Sequence, residues 1–161
     1  MKIYQLKQRL RLGGERFDIK NEEGQVDYQV EGSFLSIPKT FTVYDGQGQT
    51  VSVITKEILT WLPRFEVKMV HGQSFSLKKK LTFLKDRYEF ENLGLTVVGD
   101  IWDWNFSLLD QFGQTVAEIT KEFFHLTSTY QLTIYQESYA DLVISLAVAI
   151  DYVEMLESRQ S

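Results

Sequence analysis

One segment of the chain occurs twice, and this repeat constrains the fold more than any other feature. Residues 41–69 read FTVYDGQGQTVSVITKEILTWLPRFEVKM, and residues 106–134 read FSLLDQFGQTVAEITKEFFHLTSTYQLTI. The two segments align without a gap at an offset of 65 and share ten identical positions. A weaker third copy lies at residues 17–26. Repetition of one structural unit predicts an architecture built from similar parts, and the shared residues are expected to be scaffold.

Apolar and polar residues alternate along most of the chain, which is typical of half-buried β-strands. The alternation is clearest at Phe41-x-Val43, Phe65-x-Val67-x-Met69, Phe75-x-Leu77 and Tyr130-x-Leu132-x-Ile134. Aromatic residues make up 14% of the chain, and this content also favours strands over helices. We therefore expect a mainly β protein.

Three turns between the expected strands have one form, with Asp or Asn first and Gly fourth. They are Asn21-x-x-Gly24, Asp45-x-x-Gly48 and Asp110-x-x-Gly113. The first side chain is expected to accept hydrogen bonds from backbone N–H groups further along the turn. The glycine is expected to adopt the positive φ that a hairpin bulge needs. This chemistry explains why the repeat keeps these positions while the residues between them change.

The end of the chain changes from strand to helix periodicity. Ser138-Tyr-Ala-Asp141 has the form of a capping box, which predicts a helix that starts there. Residues 142–150 read LVISLAVAI, and a helix that is apolar on all faces must be buried on all sides. The simplest assembly is a closed or nearly closed antiparallel barrel around this helix, which also removes exposed strand edges.

We expect a single domain over residues 1–161. Its expected parts are pseudo-repeats at about 17–80 and 84–135 and a central helix at about 138–156.

The order and spacing of these segments resemble the LURP-one-related family, in its bacterial branch of small proteins. The matching segments are Phe17–Gly32, Phe41–Gly48, Leu77–Lys80, Val98–Asp100 and Leu142–Asp151, which together span nearly the whole chain. The resemblance implies a tubby-C-terminal-like antiparallel barrel of about twelve strands, threaded by a central hydrophobic helix. This agrees with the mainly β barrel and single buried α-helix expected from the residues themselves.

The resemblance implies no established activity. Plant members of the family are linked to defence responses. Distant relatives by fold include tubby proteins, which bind phosphoinositides, and phospholipid scramblases. No tubby lipid-contact motif matches this chain residue by residue, and the cysteine-rich segments of scramblases are absent from it, so no site residue is carried over.

Composition and charge narrow the function classes. The chain has no cysteine, which excludes disulfides, thiolate metal sites and a cysteine nucleophile. No secretory signal or membrane-spanning run is visible, so we expect a cytoplasmic protein without a transmembrane segment. The net charge of −5 argues against a nucleic-acid partner. Residues 1–99 nevertheless carry net +3 and residues 100–161 net −8, which fits either an anionic partner for one face or strand exteriors that differ in charge.

No catalytic or metal-binding pattern stands out in the sequence. His71 and His125 are the only histidines and lie at non-equivalent places in the repeats. Neither a Gly-rich phosphate loop nor a Gly-x-Ser-x-Gly motif is present. The pairs Lys56-Glu57 and Lys121-Glu122 recur in register, which indicates a structural role such as cross-strand charge pairing. We therefore expect no enzyme activity, no cofactor and no metal.

The densest basic cluster consists of Lys78, Lys79, Lys80, Lys85 and Arg87. Such a cluster can hold a phosphate or an anionic lipid headgroup, whereas a solvated loop is the structural alternative. Because Lys79 falls on the same strand face as the apolar Leu77, we expect the strand to end or bulge near Lys78.

Two further groups are candidates for function. The aromatic run Trp102, Trp104 and Phe106 is expected on one strand face in the core, whereas on an outer face it could stack on a sugar or a base, and the place of Trp61 is left open. A second basic group is spread along the start of the chain and comprises Lys2, Lys7, Arg9, Arg11, Arg16 and Lys20.

The sequence thus favours a non-enzymatic binding or adaptor module that engages a protein partner or an anionic lipid headgroup through exterior loops. The alternative is a small-ligand binder or enzyme with a site at a barrel rim. That alternative predicts a concave pocket with convergent polar groups and a perturbed titratable residue.

Overall fold

The structure, a computed structural model, describes residues 1–7, 16–33, 39–81, 87–122 and 129–160. Within these ranges the chain forms twelve β-strands and one α-helix, α1 (Ala140–Gln160), which follows a single 3-10 turn at Glu137–Tyr139. The strands are β1 (Lys2–Lys7), β2 (Arg16–Asn21), β3 (Val26–Gly32), β4 (Thr40–Asp45), β5 (Thr50–Lys56), β6 (Arg64–Met69), β7 (Phe75–Lys80), β8 (Arg87–Glu91), β9 (Thr96–Asp100), β10 (Asn105–Leu109), β11 (Thr115–Glu122) and β12 (Thr129–Ile134).

All twelve strands belong to one antiparallel sheet. Neighbours in sequence are neighbours in space from β1 to β8 and from β9 to β12, and β1 pairs with β12 over its whole length. The edge strands of the sheet are β8 and β9. The rings of Tyr88 on β8 and Trp102 after β9 lie 5.2 Å apart, so side chains bridge the gap between the two edges. The nearly closed barrel expected from the sequence is confirmed.

The three predicted turns form with the predicted chemistry. In each, Oδ1 of the first residue accepts hydrogen bonds from the backbone N–H groups two and four positions later, at 2.9 to 3.0 Å. The fourth-position glycines have φ values between 77° and 80°. The strand register shifts at the same place in all three hairpins. One local interaction, centred on Asn21, Asp45 and Asp110, therefore shapes three corners of the barrel.

Helix α1 lies inside the curled sheet, as predicted. Every residue from 143 to 153 is at most 1% exposed. The helix contacts the sheet on several sides, since Ser145 Oγ lies 2.6 Å from Ser52 Oγ on β5, while Trp104, just before β10, donates from Nε1 to Glu154 of the helix at 2.9 Å. Small residues at positions 145, 147 and 149 allow this close packing. Among the described residues, no helix has the length and apolarity needed to cross a membrane.

The helix begins at Ala140, and the predicted capping box does not form. The preceding 3-10 turn has no side-chain cap. Asp141, the expected capping acid, accepts a hydrogen bond from the Tyr28 hydroxyl at 2.7 Å. Burial and this hydrogen bond raise the pKa of Tyr28 far above its ordinary value. A tertiary partner on β3 thus takes the place of the local cap.

The barrel has two different ends. The turn end, beside the start of α1, has short connections at residues 22–25, 46–49, 70–74, 92–95 and 110–114. The other end, which we call the mouth, contains the last turns of α1 and the ends of the odd-numbered strands. Of the connections that join strands at the mouth, the structure describes residues 57–63 and 101–104 in full. The basic cluster belongs to the mouth, whereas the division into pseudo-repeats within a single domain stays a prediction.

Candidate functional site

The predicted basic cluster begins on β7 and continues onto β8 at the mouth. Strand β7 pairs regularly with both neighbours, so that Lys78 lies beside Arg64 of β6 and Glu89 of β8. Strand alternation places Lys79 on the inner face of the barrel and Lys78 and Lys80 on the outer face. The cluster is therefore divided between two faces of one strand.

The expectation that β7 ends or bulges near Lys78 is wrong. Lys79 continues the regular strand, and its side chain is only 13% exposed. Its Nζ lies 3.3 Å from Glu157 Oε1 on α1 and 6.0 Å from the centre of the Tyr88 ring. The Tyr88 hydroxyl donates to the same carboxylate oxygen at 2.6 Å. The last turns of the helix supply the counter-charge that a largely buried lysine requires, so the strand needs no break.

The two outward lysines are the more accessible part of the cluster. Lys80 Nζ lies 2.6 Å from Glu89 Oε2, and the two side chains are 51% and 50% exposed. Exposed ion pairs of this kind contribute only about 0–1 kcal/mol, so another anion can compete with Glu89 for the lysine. Lys78 is half-buried on the same outer face. Among the described lysines of the cluster, these two are the best placed to meet an external anion.

The remaining two members of the cluster are less fully placed. Arg87 is the first residue of β8 and pairs with Lys80, which puts its backbone beside the outward lysines. Lys85 lies outside the described residues. The structure thus brings Lys78, Lys79, Lys80 and Arg87 to adjacent positions on two neighbouring strands.

An exposed apolar segment lies next to this cluster, and the sequence analysis missed it. In the connection between β5 and β6, Ile58, Leu59 and Trp61 are 64%, 100% and 94% exposed. We call these three residues the apolar tip. The carbonyl of Pro63 in the same connection accepts a hydrogen bond from the Lys79 backbone N–H at 2.9 Å. The sequence signal that could have identified this segment is the apolar run Ile-Leu-Thr-Trp-Leu between two strands.

The repeated Lys-Glu pairs do not form cross-strand charge pairs with each other. Glu57 Oε1 pairs with Arg64 Nε at 3.2 Å, across the base of the connection that carries the apolar tip. The cross-strand neighbour of Lys56 is Phe65, and that of Lys121 is an aromatic residue as well. In the pair Lys56-Glu57, the glutamate therefore closes the base of the connection between β5 and β6.

The second basic group is split between the two ends of the barrel. Strands β1 and β2 pair only at Tyr4–Asn21 and Gln5–Lys20 and then part. A cavity of about 490 Å³ opens there, lined by Gln5, Lys7, Arg16, Phe17, Asp18 and Lys20. Lys2 lies at the turn end, with Nζ 3.9 Å from Asp27 Oδ2, while Arg9 and Arg11 lie outside the described residues.

The prediction that Trp102 and Trp104 share a strand face is wrong, because both lie in the turn between β9 and β10. Trp104 is in the core, stacked on Tyr130 with ring centres 3.6 Å apart, and its Nε1 donates to Glu154 at 2.9 Å. Trp102 is half-buried at the gap between β8 and β9. Its side chain therefore closes the barrel wall, while Phe106 is buried as expected.

The buried titratable side chains make hydrogen bonds that hold the fold together. Among the described residues, no group of histidine, aspartate and glutamate side chains is placed to hold a metal ion. Burial raises the pKa of Tyr152 to about 12, and its hydroxyl donates to the Lys39 carbonyl at 2.6 Å. Burial and a hydrogen bond to Asp27 also raise the pKa of Tyr4. Such tyrosines stay protonated at neutral pH and act as hydrogen-bond donors.

The chain is similar to known proteins in both sequence and fold. The model of the LURP-one-related family matches residues 1–151. The uncharacterized protein YxjI of Bacillus subtilis is 27% identical over 149 residues, which cover 92% of this chain and 91% of YxjI. The crystal structure of a protein from Arabidopsis thaliana aligns with a TM-score of 0.56 at 10% identity, covering 93% of this chain and 91% of that one. At this identity the structural likeness concerns the fold alone.

Proposed function

Since the chain belongs to the LURP-one-related family, whose fold alone assigns no activity, we propose that it is a non-enzymatic binding module for anionic lipid headgroups. Of the predicted residues Lys78, Lys79, Lys80, Lys85 and Arg87, the two outward lysines make the first contact, while Lys79 supports the site through its pairing with Glu157. The protein acts in the cytoplasm, where anionic lipids give the inner membrane surface a negative potential.

This proposal rests on one observation. The neighbouring lysines Lys79 and Lys80 on β7 form ion pairs of different kinds. Lys79 is held from inside by Glu157, so its charge helps to fix the end of the strand. Lys80 is half exposed and paired only with the equally exposed Glu89 among the described residues. A lysine in such a weak surface pair can exchange its partner for a phosphate group, which also accepts charge-assisted hydrogen bonds.

Vesicle sedimentation tests the proposal. The protein is expected to sediment with vesicles that contain phosphatidylserine and to stay in solution with pure phosphatidylcholine. A lysine near an anionic membrane surface contributes about 1 kcal/mol, so Lys78→Glu with Lys80→Glu is expected to lower partitioning by about thirtyfold or more. Added salt is expected to weaken binding in the same direction.

A charge-matched control is available on β6. Lys68 is exposed near the turn end, so Lys68→Glu makes the same charge change as Lys80→Glu at a distant place. Partitioning is expected to fall for Lys80→Glu and to stay near that of the unchanged protein for Lys68→Glu. Equal effects of the two substitutions would mean that net charge, and not this site, drives binding.

The cavity between β1 and β2 favours a second candidate function, the binding of a small anionic ligand at the barrel rim. Lys7, Arg16 and Lys20 converge on a space of about 490 Å³, which is within the usual size of ligand pockets. Calorimetric titration with inorganic phosphate and pyrophosphate tests this candidate. Heat of binding that disappears in Arg16→Ala and persists in Lys80→Glu would favour it over the lipid site.

A further inference from the structure

The apolar tip is the most exposed group of large apolar side chains in the described part of the chain. Leu59 is fully exposed and Trp61 is 94% exposed, with Ile58 beside them at 64%. Leu81, which follows β7 at the same end, is 67% exposed. Single exposed apolar residues are common on protein surfaces, but a contiguous group marks an interaction site.

The connection that carries the tip is held in place at its base. The Glu57 N–H donates to the Arg64 carbonyl at 2.8 Å, and the two side chains form an ion pair at 3.2 Å. The Lys79 N–H donates to the Pro63 carbonyl at 2.9 Å, which ties the connection to β7. Leu59 has a φ of 63°, a left-handed conformation that strains a leucine backbone. The fold thus maintains a leucine in solvent at a conformational cost.

The shape and charge of this surface identify the partner that fits it. The tip protrudes into solvent, since Leu59 is 100% and Trp61 94% exposed, so a protein partner would need a matching pocket, whereas a lipid bilayer yields to a protruding side chain. Tryptophan is favoured at the boundary between headgroups and acyl chains. The outward Lys78 and Lys80 lie two strands away from β5 at the same mouth, where they can meet negative headgroups. Three acids at this part of the sheet, Glu57, Glu89 and Glu91, are each paired with a cation.

We propose that the apolar tip, Ile58, Leu59 and Trp61, inserts into the boundary region of an anionic bilayer while Lys78 and Lys80 contact its headgroups. This inference rests on the proposed lipid-binding function and specifies how the protein attaches. An apolar side chain and a neighbouring basic group together give the two signals that stable attachment to a membrane surface requires.

Fluorescence of the tryptophans tests insertion directly. On phosphatidylserine vesicles, the emission of Trp61 is expected to shift to the blue and to be quenched by lipids with brominated acyl chains. Trp104 is buried and Trp102 half-buried, so Trp61→Phe is expected to remove most of the change. Trp61→Ser and Leu59→Asn are each expected to lower partitioning by about tenfold, since each removes one large apolar side chain from the membrane.

The turn end offers a matched control. Phe112 is 78% exposed in the connection between β10 and β11, far from the lysines. Phe112→Ser removes an exposed aromatic side chain of similar kind and is expected to leave partitioning unchanged. Circular dichroism and the melting temperature of each variant establish that the fold is intact.

The outcomes separate the two proposals. Binding that needs Lys78 and Lys80 but is indifferent to the tip variants, with Trp61 unquenched, would overturn insertion and leave the lipid-headgroup site standing. Absence of binding to every vesicle composition would overturn both proposals. Binding to soluble glycerophosphoserine that matches binding to vesicles would overturn insertion as well, because a free headgroup offers no acyl chains. Quenching of Trp61 together with losses in both sets of variants is the expected result.

Discussion

The two ends of the barrel are built on opposite principles. At the turn end, the same side-chain interaction recurs at Asn21, Asp45 and Asp110, and each turn places a glycine where φ is positive. At the mouth, the described connections differ from one another, and Leu59 and Trp104 adopt positive φ, whereas the non-glycine residue with positive φ at the turn end is Asn92, a residue type that tolerates this conformation. The turn end therefore fills its left-handed positions with glycine or asparagine, whereas the mouth holds a leucine and a tryptophan in this strained conformation. Retained strain is a feature of functional sites, and the comparison therefore directs attention to the mouth.

The first prediction concerns α1, the helix on which both ends of the barrel pack. Leu146 is fully buried in the middle of α1. Leu146→Asp places an unpaired carboxylate inside the barrel, and a burial cost of this kind exceeds the few kcal/mol by which most domains are stable. We expect a protein that fails to fold, as measured by circular dichroism and thermal unfolding. A variant that keeps the native spectrum and melting temperature would contradict the central helix.

The milder Leu146→Ala keeps the test quantitative. It is expected to destabilise the barrel by about 2–5 kcal/mol, because it leaves a cavity in the core. Turn-end and mouth probes should lose structure together in this variant, since both ends pack on the same helix.

The sequence predicted the turn end well because its determinants are local. Asn21, Asp45 and Asp110 bond to backbone groups within four residues, so residue type and spacing were sufficient. The buried helix was predictable for a similar reason, since a run of eight apolar residues interrupted only by Ser145 must be buried on all sides. The family resemblance added the number of strands, which the repeats alone did not fix.

The mouth was harder to predict because its residues depend on partners far along the chain. Lys79 stays in the strand because Glu157 is beside it, and the sequence gives no sign of that contact. The same holds for Trp104, whose indole meets Glu154 on the helix. The exposure of Leu59 and Trp61 was not foreseen either, because an apolar run is usually assigned to the interior.

The second prediction tests whether the glycines of the turn end relieve strain. Gly48 has a φ of 80°, and an added Cβ would meet no atom within 4 Å. Gly48→Ala therefore changes only the backbone preference and is expected to destabilise the protein by about 1–2 kcal/mol. Urea unfolding measures the change, and vesicle partitioning of the variant should stay as before. An unchanged free energy of unfolding in Gly48→Ala would show that this turn does not require a glycine at its left-handed position.

The third prediction concerns the opposite kind of substitution, to glycine, at the mouth. Leu59 has a φ of 63° and packs against nothing, so Leu59→Gly is expected to stabilise the barrel by about 0.5–1 kcal/mol. The gain is the relief of strain less the greater freedom of glycine in the unfolded chain. Urea unfolding should therefore show opposite signs for Leu59→Gly and Gly48→Ala. A loss of stability in Leu59→Gly would mean that the leucine supports the fold, which would weaken the contrast between the two ends.

The fourth prediction concerns acid and has the smallest effect. The backbone N–H of Gln114, followed by the Gln136 side chain and the Phe112 N–H, holds the pKa of Asp110 below its ordinary value of 3.8. A carboxyl whose pKa is lowered by folding contributes stability above pH 3.8, and this contribution is lost as the pH falls through the folded value. Carbon-detected NMR titration of the Asp110 carboxyl should give a midpoint below 3.8. Asp110→Asn can keep the turn, as Asn21 does in the weaker copy at residues 17–26, while removing this part of the acid dependence. A midpoint at or above 3.8 would show that the turn hydrogen bonds do not favour the charged form of Asp110, and Asp110 would then support its turn no better than a neutral residue such as Asn21 does.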